Sequence, residues 1–220
     1  KFKKTLSNHI VPIRSLDISH ISKMLSNDKI IAICSKGIEI GPRALGHRSF
    51  LANARNNKMK DIMNKKIKHR ELYRPFAPIV LKEYFNQYFT SNTNDHPYML
   101  MAPKCKSIAK RNVPAICHID QTARVQTVTK DNGIIYDILK KFMEITKIPV
   151  LINTSFNDNN EPIVFTRLDA FLTFLKCNAD AIVFDDGFII RKEINEIKKL
   201  TFALQSLQEK FKKEYFKKSI

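Results

Sequence analysis

The chain has 220 residues, of which 44% are hydrophobic and 27% charged, a balance that is typical of globular proteins and excludes an intrinsically disordered chain. Its 38 lysines and arginines outnumber the 21 acidic residues, and the formal charge of +17 favours nucleic acids, phosphorylated metabolites or acidic partners unless the lysines only coat a solvated surface. No apolar run is long enough for a secretory signal or a membrane span, so we expect a cytoplasmic protein without a membrane contact.

The first third of the chain alternates between helix and strand patterns. Residues 1–14 form a basic arm, and residues 15–26 then repeat apolar side chains at helical spacing after a cap at Ser15 or Asp17. The apolar run "IIAICS" predicts a buried strand, and residues 57–70 predict a second helix with a lysine-rich outer face.

The middle of the chain predicts loops, three strands and a helix. Residues 90–114 mix Asn, Asp, Ser and Pro around "YMLMA", which predicts loops with one strand. "TARVQTVT" alternates in the manner of a strand with one polar face that carries Arg124 and Gln126. Residues 134–145 predict a helix, and the apolar run "VLIN" predicts a strand covered on both faces.

The last segments complete an α/β pattern with a mixed sheet and flanking helices. Thr166, with Asp169 three positions later, predicts the capped start of a helix, and "AIVFDDGFII" predicts a hairpin with its turn at Asp186-Gly187. Residues 193–220 predict an amphipathic helix that docks on the domain or forms an oligomer interface.

The cysteines do not predict a metal site or a disulfide framework. Cys34, Cys105, Cys117 and Cys177 are widely spaced, and none belongs to a CxxC pair. Because most of them lie in apolar runs, we expect buried free thiols.

One motif predicts an anion site near the start of the chain. In "GPRALGHRS", proline stiffens the backbone before Arg43, and the flanking glycines allow the backbone to approach a ligand closely. An arginine held in this way is prepared for a bidentate contact with phosphate or carboxylate. Alternatively, the segment is a surface loop with solvated arginines.

Further cations follow in two other segments. "KIKHRELYRPFAP" contains Lys68, Arg70 and Arg74, and a helix that continued to Tyr73 would place the two arginines one turn apart. An anion would relieve the repulsion among these cations, although solvent can also screen it. Arg124 adds a cation to the polar face of a strand.

The segment "INTSFNDNNEP" ends a buried strand in amides and hydroxyls. Asn153, Ser155 and Asn157 would lie at the carboxyl end of a core strand, where α/β sheets bind ligands, or would only cap a turn. In "CHIDQT", His118 and Asp120 resemble metal ligands, but we expect a structural role for the histidine.

These four motifs, in this order and spacing, resemble the C-terminal, YrdC-like domain of the NodU/CmcH-type O-carbamoyltransferases. The resemblance implies a YrdC-like twisted mixed sheet over residues 15–192 and the formation of carbamoyladenylate from carbamoyl phosphate and ATP. It implies catalytic roles for Lys68, Arg74 and Arg124. It also implies substrate binding by Arg43, Arg70, Asn153, Ser155 and Asn157.

The same resemblance implies partners that the sequence itself does not identify. ATP would bring Mg²⁺, whose ligands are not evident, and an N-terminal ASKHA-type domain, in the same or a separate chain, would pass the carbamoyl group to an acceptor. We expect that domain to lie outside these 220 residues. Gln121 replaces the glycine and His47 the asparagine that the family commonly has at these positions, which can alter loop geometry.

Two alternatives remain at this point. A YrdC-like fold also serves threonylcarbamoyladenylate synthesis for tRNA modification, but the segments "GPRALG" and "RPFAP" favour the carbamoyltransferase. A non-catalytic basic module for nucleic acids is less favoured, because neither a recognition helix after a tight turn nor exposed aromatic residues along a basic strand are evident.

Overall fold

Helices pack on a central sheet in the computed structural model, which describes residues 14–39, 41–159 and 161–190. Both the amphipathic helix predicted for residues 193–220 and the basic arm up to residue 13 lie outside the described residues. In chain order the elements are α1 (Ile18–Ser26), β1 (Ile31–Cys34), β2 (Arg48–Asn53), α2 (Met59–Lys66), β3 (Ala77–Leu81), α3 (Phe85–Tyr88), β4 (Phe89–Thr90), β5 (Lys104–Cys105), α4 (Ser107–Asn112), β6 (Gln126–Val128), α5 (Ile134–Thr146), β7 (Val150–Ser155), α6 (Arg167–Lys176), β8 (Ala181–Phe184) and β9 (Gly187–Ile190).

Seven of the strands form one mixed sheet in the order β6-β3-β7-β2-β1-β8-β9. β1 pairs in parallel with β8, and β3 in parallel with β6, while the other neighbours are antiparallel. β4 and β5 form a separate antiparallel pair. The predicted α/β class with a mixed sheet and flanking helices is confirmed.

Successive residues of each strand contribute to two cores on opposite faces of the sheet. Ile31 and Ile33 of β1 pack with α1 and α5, while Ala32 and Cys34 belong to the core that α2 and α6 cover. A strand that is covered on both faces has no side toward solvent on which polar residues could lie. This explains why β1, β7 and β8 begin as apolar runs. In the described residues, no helix is long and apolar enough to cross a membrane.

Side-chain caps define the start of two predicted helices. Asp17 accepts a hydrogen bond from the backbone N–H of His20, so α1 begins at Ile18. Thr166 and Asp169 form a reciprocal capping box at the start of α6, as predicted.

Several element predictions were wrong in extent or position. "YMLMA" is not a strand, because Tyr98, Leu100 and Met101 are exposed on a segment that pairs with no strand of the sheet. The strand of that region is β5 instead. "TARVQTVT" shortens to the three residues of β6, and the turn of the last hairpin is Asp185-Asp186, because Gly187 already pairs with Phe184.

The predicted helix at residues 57–70 is also shorter than expected. α2 ends at Lys66, and His69 adopts a positive φ of 44° that a helix cannot accommodate. Arg70 and Arg74 therefore lie on a loop and not one helical turn apart.

The sheet topology brings the ends of four adjacent strands to one edge. β7 runs antiparallel to β2 and β3, so its last residues lie opposite their first, with Ser155 beside Ser49 and Asn153 beside Ala77. β6 is parallel to β3 and begins at the same edge. Three of the polar motifs lead into β2, β3 and β6, and the fourth spans the end of β7.

Candidate anion-binding site

A cavity of about 470 Å³ opens at this edge of the sheet, a volume in the range of small-molecule sites. The structure brings all eight residues of the predicted site to its wall, while their chemical roles stay predictions. They are Arg43, Lys68, Arg70, Arg74, Arg124, Asn153, Ser155 and Asn157.

A carboxylate that the sequence analysis did not single out shapes the loop around Arg43. One oxygen of Glu39 accepts hydrogen bonds from the backbone N–H groups of Leu45 and His47, both at 2.7 Å, and of Arg48 at 3.1 Å. The loop therefore wraps around Glu39, and Arg43 lies exposed at the cavity, where its guanidinium makes a long hydrogen bond of 3.4 Å to the Pro42 carbonyl.

The second arginine of this motif, Arg48, is structural. It is 7% exposed, and its guanidinium donates to the carbonyl oxygens of Ser35, Gly37, His47 and Phe165. The sequence pattern does not distinguish the two arginines of "GPRALGHRS". The fold shows that Arg48 is buried and structural, whereas Arg43 faces the cavity.

Lys68 fixes the segment that follows β7. The side chain is only 4% exposed, and its Nζ lies 2.6–3.3 Å from the backbone and side-chain oxygens of Ser155 and Asn157. Burial, helped by the nearby charge of Arg70, lowers the pKa of Lys68 to about 7. The side chain of Lys68 therefore gains or loses its charge near neutral pH.

Arg70 and Arg74 approach the cavity from the loop before β3. Arg70 donates from Nε to Asn64 at 2.7 Å, and its guanidinium stacks on the ring of Phe76, 4.7 Å from the centroid. Burial and, second, the charge of Arg74 lower the pKa of Arg70 to about 10. These contacts hold Arg70 rigidly, whereas Arg74 is more exposed.

The wall of the cavity is strongly positive. In the described part of the chain, no carboxylate lies within ion-pair distance of Arg43, Lys68 or Arg124. Burial and the charge of Arg43 lower the pKa of Arg124. Asp158 is the carboxylate among the lining residues, and it accepts a hydrogen bond from His69 at 2.9 Å. A polyanion would reduce the resulting repulsion.

The floor of the cavity is neutral and polar. Asn153 is 1% exposed and donates to the carbonyl of Ala44 and to Oε1 of Gln126, so the predicted polar face of the β6 strand meets β7 here. His118, for which we expected a structural role, also lines the cavity, and burial lowers the pKa of its ring. Its neighbour Asp120 is exposed and bonds to Thr122 instead.

A protein-held metal centre is not evident. No cluster of three or more His, Cys, Asp or Glu side chains with metal-binding geometry occurs within the described ranges.

A second cavity of about 420 Å³ adjoins the first and shares Arg43, Met99 and Arg124 with it, and the exposed Tyr98 and Leu100 form part of its wall.

The sequence that carries these residues matches a known protein family. Residues 22–192 match the family model described as "Carbamoyltransferase C-terminus". The chain belongs to the carbamoyltransferase C-terminus family. The match covers all four motifs that predicted the site.

Curated relatives share the sequence over most of the chain. Nodulation protein NolO of Bradyrhizobium diazoefficiens is 40% identical over 190 residues, which are 84% of this chain and 34% of NolO. The uncharacterized protein MJ1058 of Methanocaldococcus jannaschii is 41% identical over 174 residues, 79% of this chain and 28% of that protein. The chain thus spans about a third of the length of these relatives.

A solved structure shares the fold. The crystal structure of full-length HypF in the phosphate- and nucleotide-bound form matches 82% of this chain and 23% of its own, with a TM-score of 0.52 and 16% sequence identity. At this identity the match supports the fold of this carbamoyltransferase C-terminal domain and not its ligands.

Proposed function

We propose that this domain binds ATP and carbamoyl phosphate in the cavity and forms carbamoyladenylate for O-carbamoyl transfer by a partner ASKHA-type domain. The observation that carries the proposal is the convergence of five cations on one cavity, in a member of the carbamoyltransferase C-terminus family. They are Arg43, Lys68, Arg70, Arg74 and Arg124.

The reaction needs charge neutralisation and alignment more than a protein nucleophile. Both substrates are polyanions, and fixed guanidinium groups offset their repulsion while holding the reacting atoms in line. Water would cleave carbamoyl phosphate to carbamate and phosphate. A carbamate oxygen would then attack the α-phosphorus of ATP, and pyrophosphate would leave with the bonding electron pair.

The geometry suggests different roles for the cations. Arg74 and Arg124, for which the family resemblance implies catalytic roles, are proposed as the cations that contact the reacting phosphates. Lys68, for which the family resemblance implies a catalytic role, already directs its ammonium to Ser155 and Asn157, so we propose it as a positioning residue for that loop. Arg43 and Arg70 would bind the remaining phosphate oxygens.

Magnesium, which normally accompanies ATP, finds few ligands here. The lining residues include one carboxylate, Asp158, which is already paired with His69. Mg²⁺ is commonly held by one or two carboxylates together with substrate phosphates. The residues present do not build a dedicated site, and no step of the proposal depends on the metal.

The test is ATP–pyrophosphate exchange that depends on carbamoyl phosphate. We expect exchange with the 220-residue chain and a loss of about 100-fold or more in Arg74→Ala and Arg124→Ala, because each removes a charge that stabilises the transferring phosphates. Arg111→Ala is the matched control, since Arg111 is exposed on α4 and does not line the cavity.

Two results would contradict the proposal. The first is exchange of wild-type magnitude in both cavity variants while thermal unfolding shows them to be folded. The second is exchange that requires threonine and bicarbonate in place of carbamoyl phosphate, which would assign the domain to threonylcarbamoyladenylate synthesis.

A further inference from the structure

Two arginines of the cavity, on the loop before β3, are held by one buried asparagine of α2. Asn64 has no exposed surface, at 0%, and its side-chain amide makes three hydrogen bonds with this loop. Nε of Arg70 donates to its Oδ1 at 2.7 Å, while its Nδ2 donates to the backbone carbonyl oxygens of Leu72 at 3.2 Å and Arg74 at 2.8 Å. One amide therefore fixes both the side chain of Arg70 and the main chain at Arg74.

The chemistry of these partners leaves a single orientation for the amide. A carbonyl oxygen can only accept a hydrogen bond, and the Nε of an arginine can only donate one. Turning the amide over would place Oδ1 against two carbonyl oxygens and Nδ2 against the guanidinium of Arg70. Both hydrogens and the oxygen of Asn64 are thus engaged, so neither a carboxylate nor an aliphatic side chain of similar shape can replace it.

The loop itself offers its arginines little regular structure. The chain turns away from α2 with a positive φ of 44° at His69. The backbone N–H of Arg70 returns to the carbonyl oxygen of Asn64 at 3.1 Å, and that of Arg74 bonds within the loop to Glu71 at 3.2 Å. The backbone and the side chain of Asn64 together tie the segment to the helix.

Holding the two guanidinium groups near each other is electrostatically unfavourable. Both line the cavity, and burial, followed by the charge of Arg74, lowers the pKa of Arg70. A loop that was free to move would let these like charges separate, and an arriving anion would then have to order them. Because Asn64 holds the arginines in place beforehand, the anion meets a site that is already assembled.

We propose that Asn64 is a positioning residue of the anion site, which preorganises Arg70 and Arg74 for a single polyanion. Asn64 is not among the residues of the cavity wall, so it acts through the two arginines and not by contact with the ligand. The inference rests on the proposed function for the identity of the polyanion, namely the phosphates of ATP and the pyrophosphate that leaves.

The test measures the affinity for inorganic pyrophosphate by calorimetry on the full 220-residue chain. Asn64→Leu keeps the approximate shape of the side chain and removes all three of its hydrogen bonds. We expect about tenfold weaker binding, because the ligand must now order the charges that it meets.

Asn53→Leu is the matched control. Asn53 is 2% exposed at the end of β2 that lies away from the cavity, and its Oδ1 also accepts a hydrogen bond from an arginine Nε, that of Arg55 at 3.1 Å. The guanidinium of Arg55 also lies over an aromatic ring, that of Phe142, but neither Asn53 nor Arg55 lines the cavity. Pyrophosphate affinity in this variant should therefore stay within about twofold of the wild type.

A combined variant separates positioning from a general structural effect. In a chain that already carries Arg70→Ala and Arg74→Ala, adding Asn64→Leu should weaken pyrophosphate binding by less than about twofold, because the side chains that it positions are gone. A merely structural role would give the same loss with and without the two arginines. Thermal unfolding checks that each variant is folded.

A measurement on the wild type keeps the inference testable even if Asn64→Leu does not fold. In NMR spectra of the ligand-free protein, the Nε–H of Arg70 should exchange slowly with water, whereas that of the more exposed Arg74 should exchange rapidly. Arg70→Lys assigns the signal. Exchange at Arg70 that becomes slow only with pyrophosphate would show that the ligand, and not Asn64, orders this side chain.

The results distinguish this inference from the proposed function. Wild-type affinity in folded Asn64→Leu, or equal losses with and without the two arginines, would remove the positioning role and leave the proposed function intact. A wild-type chain that binds no pyrophosphate would remove the proposed function, and this inference with it.

Discussion

Lys68 shows how a single side chain can link the charge of the site to its shape. A buried ammonium that donates to Ser155 and Asn157 ties the loop after β7 to the segment before β3. Its folded pKa of about 7 lies below the ordinary value of 10.5. The charged form therefore destabilises the ligand-free fold below about pH 7, and this cost falls as the pH rises toward 10.5.

We predict that anion binding drives proton uptake at Lys68. A bound polyanion raises the pKa of Lys68, so near pH 8 a neutral amine in the free site becomes an ammonium in the complex. Calorimetry of ATP binding in buffers of different ionisation enthalpy should show uptake of up to one proton. The uptake should vanish near pH 6, where Lys68 is already charged in the free protein.

Lys68→Arg is the control for this prediction, because arginine stays charged in both states. Asp158 and Arg70 also influence the charge of Lys68, and both are retained in that variant. Proton uptake that persists in a folded Lys68→Arg protein would assign the titration to another group, with His118 as the next candidate.

At the scale of elements, the loop between β1 and β2 depends on glycines whose backbone other residues avoid. Gly41 has φ +130° and Gly46 has φ +118°. They differ in surroundings, because a Cβ on Gly46 would lie 2.7 Å from Cδ1 of Ile135, whereas a Cβ on Gly41 would meet nothing within 4 Å. Gly46 thus allows the loop to pack directly on α5.

This difference gives a matched pair of substitutions. Gly41→Ala should lower the free energy of unfolding by about 1–3 kcal/mol through backbone strain alone. Gly46→Ala should lose a further ~1–3 kcal/mol, because Ile135 must move as well. Urea denaturation measures both, and equal losses would show that contact with α5 does not constrain the loop.

The reliability of the element predictions followed the strength of the local signal. α5 and the capping box of α6 were predicted correctly, since helical periodicity and capping act between near neighbours in the chain. "YMLMA" was wrong, because an apolar run states that a segment is hydrophobic but not whether a neighbouring strand is available.

For the whole molecule, the net charge of +17 leaves nucleic acid as the competing partner. We predict that single-stranded oligonucleotides bind weakly and lose about 300-fold or more in affinity between about 50 and 200 mM salt, as expected for contacts with six or more phosphates on an open surface. ATP binding should persist at the higher salt, because buried cations are screened less.

Filter binding and calorimetry over this salt range provide the measurement. Arg124→Ala is a useful control, because it should weaken ATP but leave the oligonucleotide unaffected. Submicromolar oligonucleotide binding near 200 mM salt, abolished by the same substitution, would favour a nucleic-acid module over a nucleotide-binding enzyme.

Long-range proximity also changes the interpretation of the cysteines. Cys105 and Cys117 are separated in sequence, and the thiols were predicted to be isolated and buried. In the fold the two thiols are close enough to influence each other, which raises the pKa of Cys105 and lowers that of Cys117, and Cys117 immediately precedes His118 of the cavity wall. Such a pair leaves no motif in the sequence, because its two members approach only when β5 meets the segment before β6.

By itself, the sequence determined the α/β class, most element positions and the residue types of the site. These properties depend on periodicity, capping and local chemistry, which short segments carry on their own. Only the tertiary structure decided that Arg43 faces the cavity while Arg48 is buried, that Glu39 organises their loop, and that His118 joins the wall. The physical reason is the antiparallel course of β7 between β2 and β3, which brings four distant segments to one edge of the sheet.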